Sequence, residues 1–311
     1  MNGTGTQTDP YQVTTADEFV TAVAKEDSYV KLMNDIDFNQ GKYYNITSPI
    51  YIRCRELEGN GYKLDNILDL DLSKLFITEN GSNQYINNLV FEMLIIYVKL
   101  NSRYVFNIDR NLIFDNCDFR IKTKLYNSTT LFNITRGSTK SNFNNCIFNI
   151  DIFDKSDYIF SIFYTKNASY CSFVFNNCMF NLNIYFDKDI PNGTIMDKCM
   201  IFSSDNFSSQ NINFCGLFIN LYNNTNTNLG YVSICNNNGV EFHNSYIIFN
   251  DKDKNTCKLY TNQRQISTCF YDSTLANGKF VVDNTKYLLP LTTEQCKDAA
   301  YLESVGFIIS T

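Results

Sequence analysis

The sequence predicts an all-β chain wound as a right-handed parallel β-helix (a β-solenoid) with short N- and C-terminal capping helices. Three observations predict it. A short pattern recurs with a period near thirty residues. The segments around each copy alternate apolar and polar residues, with no helical period inside them. Each end of the chain carries a helix-start signal.

The amino end reads Asp9-Pro10-Tyr11-Gln12-Val13-Thr14-Thr15-Ala16-Asp17-Glu18-Phe19. Thr15 and Glu18 have the spacing of a capping box, so a short amphipathic helix is expected from about Ala16 to Lys25. The run Tyr29-Val30-Lys31-Leu32-Met33-Asn34-Asp35-Ile36-Asp37-Phe38 starts the strands. Leu57 to Leu64 gives a turn at Gly59-Asn60-Gly61 and a further strand.

The repeat itself is clearest in three copies. They are Phe114-Asp115-Asn116-Cys117-Asp118-Phe119, Phe143-Asn144-Asn145-Cys146-Ile147-Phe148 and Phe175-Asn176-Asn177-Cys178-Met179-Phe180. Weaker copies are centred at Leu89, Cys215 and Ser245, and the last of these holds Phe242-His243-Asn244. The steps between centres are 28, 29, 32, 37 and 30 residues, and Ile36 and Leu64 are also 28 apart. A strand alternates its faces, so Phe143, Cys146 and Phe148 share one interior only if the chain bends between them. Asn tolerates the left-handed conformation, so Asn145 is the expected bend. Stacked coils then place Asn88, Asn116, Asn145, Asn177 and Asn244 above one another, where their amides can hydrogen-bond along the stack. Cys117, Cys146 and Cys178 read as a column of small buried residues, with disulfides between neighbouring coils as the alternative.

The carboxyl end reads Thr292-Thr293-Glu294-Gln295-Cys296-Lys297-Asp298, after Pro290 and before Gly306-Phe307. Thr292 with Gln295 is a second capping box, and one helix of about ten residues is expected to close the last coil. The parts are therefore an arm and capping helix (1–28), the solenoid (29–289), and a closing helix and tail (290–311). The segment Pro10-Tyr11-Gln12-Val13-Thr14-Thr15, the Asp35-Ile36-Asp37 strand and the Gly59-Asn60-Gly61 turn resemble the entry of right-handed parallel β-helix proteins of phage virions and bacterial surfaces. The closing segment Thr292 to Asp298 with Gly306-Phe307 is similar to the end of phage-encoded members. The resemblance covers roughly residues 5–66 and the last segment.

Composition narrows the partners. The chain has 311 residues, 44% of them hydrophobic and 19% charged, with net charge −6. No cluster of Lys and Arg forms a basic stripe, so nucleic acid is not an expected partner. No apolar run reaches membrane-span length, so no membrane insertion is expected. Met1-Asn2-Gly3-Thr4-Gly5 carries neither a charged n-region nor an apolar h-region, so no secretory signal is expected. With 11 cysteines, one histidine (His243) and no C-x-x-C, neither a metal nor any other cofactor is expected.

Solenoids of this kind include polysaccharide-cleaving enzymes, so acids matter. The hydrolase segments N-T-D, D-D and G-H-G have no counterpart here, since His243 lies in Phe242-His243-Asn244. Two acids brought together by coiling would leave no linear motif. Asp151, Asp154 and Asp157, with Asp187 and Asp189 one coil later, are the candidates for a catalytic pair, against the plainer reading of a solvated loop. Asp251-Lys252-Asp253-Lys254-Asn255 opens like a calcium loop. Thr256 stands where glycine is required and Asn262 where glutamate is, so an EF-hand is rejected. Tyr43, Tyr44, Tyr222, Asn223 and Asn224 are candidates for sugar contact.

These features, with the resemblance, give the expectation of a non-enzymatic virion structural protein, tail/fibre or capsid-associated. Its expected partners are other virion proteins and a host-surface glycan. A polysaccharide depolymerase and a bacterial surface adhesin are the alternatives. No segment reads as a trimerisation domain, so a homo-trimer and a docked monomer are both open.

Overall fold

The computed structural model describes residues 1–38, 52–65, 84–87, 90–95, 104–108, 112–125, 130–134, 140–154, 160–165, 171–186, 199–204, 209–223, 231–235, 240–251, 258–261, 265–267, 269–276, 280–282 and 288–307. Their strands form three parallel sheets that wind as a right-handed β-helix. Sheet A has ten described strands, from Tyr11–Val13 to Gln265–Ser267. Sheet B has ten, from Ile36–Asp37 to Leu288–Leu291. Sheet C has seven, from Tyr104–Ile108 to Phe280–Val282. One coil visits A, B and C in turn: Lys140–Asn144, Ile147–Asp154, Phe160–Thr165, and then Ser172–Asn176 back in A. Parallel strands returning to one sheet cross over with right-handed sense, because strand twist favours that path.

The bend between A and B falls where the repeat places it. Asn116, Asn145, Asn177 and Asn244 have φ of 53°, 54°, 54° and 47°. In that left-handed conformation the corner still keeps its backbone bonds to the neighbouring coils. Asn145 N–H donates to Asn176 O at 2.9 Å, and Ile147 N–H donates to Cys117 O at 2.9 Å. The residue after the bend explains the cysteines. Cys146 Sγ donates to the carbonyl of Asn144 at 3.2 Å. One corner further on, Cys178 N–H donates to Cys215 Sγ at 3.4 Å, and Cys215 N–H to Ser245 Oγ at 3.0 Å. A small side chain that both donates and accepts repairs the one backbone amide the bend leaves out of the ladder. Cys117, Cys146, Cys178 and Cys215 stack with Ser245 in one column, buried and all four free thiols. Asn88 and Leu89 lie outside the described residues.

Inside, each of the three best-formed coils contributes at least one phenylalanine from each sheet. Phe114, Phe143 and Phe175 stack along A at 4.7 and 5.1 Å. Phe119, Phe148 and Phe180 stack along B at 4.8 Å per step. Phe132, Phe163 and Phe202 stack along C at 4.8 and 5.4 Å. Across the core the B and C columns meet edge to face, as in Phe148–Phe163 at 5.3 Å and 88°. Both geometries suit the ring quadrupole and add about 0.5–1.5 kcal/mol per pair beyond area burial.

The first end is closed as expected. Helix α1 (Ala16–Val23) buries Phe19, Ala22 and Val23, and Phe19 meets Phe38 edge-on at 5.6 Å. Thr15 caps it by accepting from Glu18 N–H. Glu18 does not return to Thr15: its carboxylate binds the amino group of Met1 and the N–H and hydroxyl of Thr14. Those partners, the amino group first, hold the carboxyl down at about 2. The strand Tyr11–Val13 already belongs to sheet A, so the solenoid begins inside the segment expected to be arm and cap. Its outer edge is blocked by an antiparallel bridge from Asn2 to Gln12.

The other end differs from the expected single helix. Helix α2 (Ser273–Ala276) buries Ala276 in the main core, and Asp272 Oδ1 accepts from Leu275 N–H at its start. The closing segment is two helices, α3 (Thr293–Lys297) and α4 (Ala299–Ser304). Thr292 and Gln295 form the complete capping box of α3. Asp298 then leaves helical geometry (φ −91°, ψ 101°) and its carboxylate caps Tyr301 N–H of α4, which breaks the run in two. Leu302 of α4 packs with Phe270 and Leu291 in a second cluster, apart from the main core. Strand Leu288–Leu291 crosses the expected 289/290 boundary, and Pro290 is tolerated because this is the edge strand of sheet B.

Candidate functional site

Sheet B carries the longest strands of the described structure. Its central strands are Asp118–Leu125, Ile147–Asp154, Met179–Phe186 and Gly216–Asn223, eight residues each and in unbroken register. Alternation sends every second residue outward, and registration stacks those residues into columns.

Amide ladders run along these columns. Asn149 Nδ2 donates to Asp118 Oδ1 at 3.1 Å, and Asn181 Nδ2 to Asn149 Oδ1 at 2.8 Å. Asn183 Nδ2 donates to Asp151 Oδ1 at 2.8 Å, and Asn220 Nδ2 to Asn183 Oδ1 at 3.0 Å. At the corner, Asn145 donates to Asp115 at 3.1 Å and Asn177 to Asn145 at 2.9 Å. Each of the three ladders starts on an aspartate. Every amide points its N–H toward the preceding coil, so the dipoles align and a carboxylate at the positive end makes the strongest bond of the row.

Beside the Asp151 ladder stands an aromatic column. Phe153 and Tyr185 stack at 4.5 Å, Tyr185 and Tyr222 at 4.3 Å, and Lys122 Nζ lies 5.5 Å from the centre of the Phe153 ring. Burial, and then the neighbouring Tyr222, push the Tyr185 phenol up. These rings engage one another by their faces, so the column offers edges and hydroxyls to solvent rather than an open ring face.

The sequence candidates fall unevenly on this surface. Asp151 lies on it as the base of a ladder, with Lys122 and Asn183 as its register neighbours. Its place is thus a structural one, with no second carboxylate facing it in register. Asp154 ends its strand, between Leu125 and Phe186 in register. Asp157, Asp187, Asp189, Tyr43, Tyr44 and Asn224 lie outside the described residues. Tyr222 is in the aromatic column, and Asn223 ends its strand. His243 sits on the outer side of sheet A with Nε2 3.5 Å from Glu241. Among the described residues no group of three or more His, Cys, Asp and Glu is placed to hold a metal ion. No described helix is long and apolar enough to cross a membrane.

One corner departs from the rest. Phe214 has φ 54°, the value found at Asn145 and Asn177, and its side chain is 48% exposed. A bulky residue in this region costs about 1–3 kcal/mol and gains nothing from burial here. Two residues on, Gly216 faces outward between Met179 and Tyr246. A Cβ at Gly216 would meet Tyr246 Oη at 2.5 Å, so only glycine lets the phenol lie across the sheet. Tyr246 stacks on Phe270, and α3 and α4 stand beyond it. Between them is a cleft of about 480 Å³, lined by Met179, Phe214, Phe218, Tyr246, Lys297 and Phe307 among others. Burial pushes the Tyr246 phenol up. The cleft escapes a reading from motifs because its walls come from four coils and a distant helix pair. The signal for Phe214 was present in the repeat, as the copy in which phenylalanine replaces the bend asparagine.

No protein-family model matches this chain, and a search of curated proteins returns no match.

Proposed function

We propose that the chain is a rigid, non-enzymatic adhesive component of a bacteriophage virion, whose sheet B face meets a host-surface glycan or another virion protein. The carrying observation is that this face is ordered in advance. Its outward amides are fixed by one another in ladders, and its phenols stand in a stacked column. Side chains already held in place lose little entropy on binding, which favours recognition by many neutral hydrogen bonds. The virion setting rests on the resemblance of the entry and closing segments. The acid nearest to the expected pair, Asp151, serves as a ladder base, which supports binding over cleavage.

The test is co-purification. Antibody or mass-spectrometric detection should find the protein in purified intact particles at constant stoichiometry. Its absence from particles that are otherwise complete would remove the virion assignment. Release of reducing sugar from host polysaccharide, abolished by Asp154→Asn or Asp187→Asn, would replace adhesion with depolymerisation.

A further inference from the structure

We infer that Phe214 and the cleft beside it form a saccharide-binding site, with a pyranose ring seated on the exposed phenyl face. This deepens the adhesive reading and rests on it for the class of ligand. Phenylalanine at this position interrupts the corner ladder. Asn145 donates back to Asp115 and accepts from Asn177 on the next coil, and Asn177 in turn donates back to Asn145. Phe214 stands on the next rung, so Asn177 Oδ1 has no donor among the described residues. Asn244, on the rung after that, has no side-chain partner among the described residues. Phe214 itself makes no ring contact with a described aromatic. The break thus leaves an acceptor on one side of an exposed ring and a complete amide on the other, about 10 Å apart across two rungs.

All three groups line one cleft, together with the Tyr246 phenol, which has no hydrogen-bond partner among the described residues. The volume of about 480 Å³ falls within the range of small-ligand sites. The chemistry selects the occupant. A sugar ring has an apolar C–H face that fits a phenyl ring. Its rim hydroxyls both donate, as Asn177 Oδ1 requires, and accept, as Asn244 Nδ2 and Tyr246 Oη allow. An apolar peptide side chain would cover the ring and leave those polar groups without partners. Lys297 at the rim suits a sugar that carries a carboxylate.

Phe214→Asn is the decisive variant, because it restores the residue that the bend prefers and should not impair folding. The fluorescently labelled full chain is applied to a printed array of bacterial surface oligosaccharides, with uronic-acid members included. Wild type should be retained on a subset, and Phe214→Asn should lose at least tenfold in affinity for that subset while melting at a higher temperature. Asn244→Ala should lose binding in the same direction, and Lys297→Gln should weaken only the acidic members. Retention unchanged in Phe214→Asn would overturn this site while leaving adhesion through another part of the face intact. Retention of neither protein on any glycan also overturns it, and particle co-purification then judges the wider reading separately. Binding only to protease-sensitive material would assign the cleft to a peptide instead.

Discussion

At Asn145 and at Phe214 the backbone makes the same left-handed bend, with φ 54° in each, yet the two corners differ in what they do with their side chains. Asn145 turns the chain and is tied by its amide to the coils on both sides. Phe214 turns the chain and is tied to neither. Behind both bends the next residue is a buried cysteine that bonds the same backbone positions, so the inner half of the corner is common to the two. The difference is confined to the outside. The interior therefore specifies the winding, and the exterior of a single rung can be given up for something else without loss of the fold.

Buried thiols should cost the fold stability at high pH. Burial pushes the Cys54 thiol up to about 12 and the Cys178 thiol higher still. At Cys146 a hydrogen bond from Cys117 lowers the value, but the bond to Cys178 and burial outweigh it, and the net direction is upward. A thiol whose folded value is raised stabilises the fold fully below its unfolded value of about 8.5. That stability is lost as pH climbs toward the folded value, because the unfolded chain releases its proton first. Each such thiol contributes a fall of about 1.4 kcal/mol per pH unit in that window. Denaturant titrations at pH 8, 9 and 10 should show this steepening loss, and a flat profile would place these thiols in contact with water.

Core truncations sharpen the comparison next. Phe148→Ala removes a ring that contacts others above, below and across the core, and should cost about 3–5 kcal/mol. Leu217→Ala occupies the equivalent position in the coil of Phe214 and should cost about 2–5 kcal/mol, because that coil is equally closed inside. A negligible cost at Leu217 would mean that the break at Phe214 reaches the core. At the corner itself, Cys146→Val keeps the volume but removes the thiol's bond to the Asn144 carbonyl and its acceptance from the Cys117 backbone, for about 1–3 kcal/mol. Cys146→Ser keeps both bonds and should cost much less. The smallest effect has the opposite sign: Phe214→Asn should stabilise by about 1–2 kcal/mol in chemical denaturation, as the left-handed bend is relieved.

The winding was legible in the sequence because its cause is local and repeated. Every coil must bend at one place and fill one column, so Asn145 and Cys146 recur as a unit. The reason for cysteine was only half legible. Small size pointed to burial, but the bonds to the carbonyl two residues back appear only once the bend is drawn in three dimensions. The break at Asp298 has no trace in the sequence pattern, because its capping of Tyr301 competes with helix continuation over a single residue. From sequence alone the acids read as loop residues. Asp151 is instead a strand residue pointing outward, between the buried Ile150 and Ile152 in a strand that runs to Asp154. The cleft depends on residues from Asn177 to Phe307 and has no linear trace apart from Phe214 and Gly216, which deviate from their repeat positions.

The continuous corner and the interrupted one can be told apart by side-chain amide hydrogen exchange, followed by NMR on the full chain. Exchange should be slowed at Asn177, whose Nδ2 donates to Asn145, and should run at the solvent rate at Asn244, with Phe214→Asn slowing Asn244 as the missing rung is filled. Equal exchange at the two positions, unchanged by the substitution, would contradict that expectation.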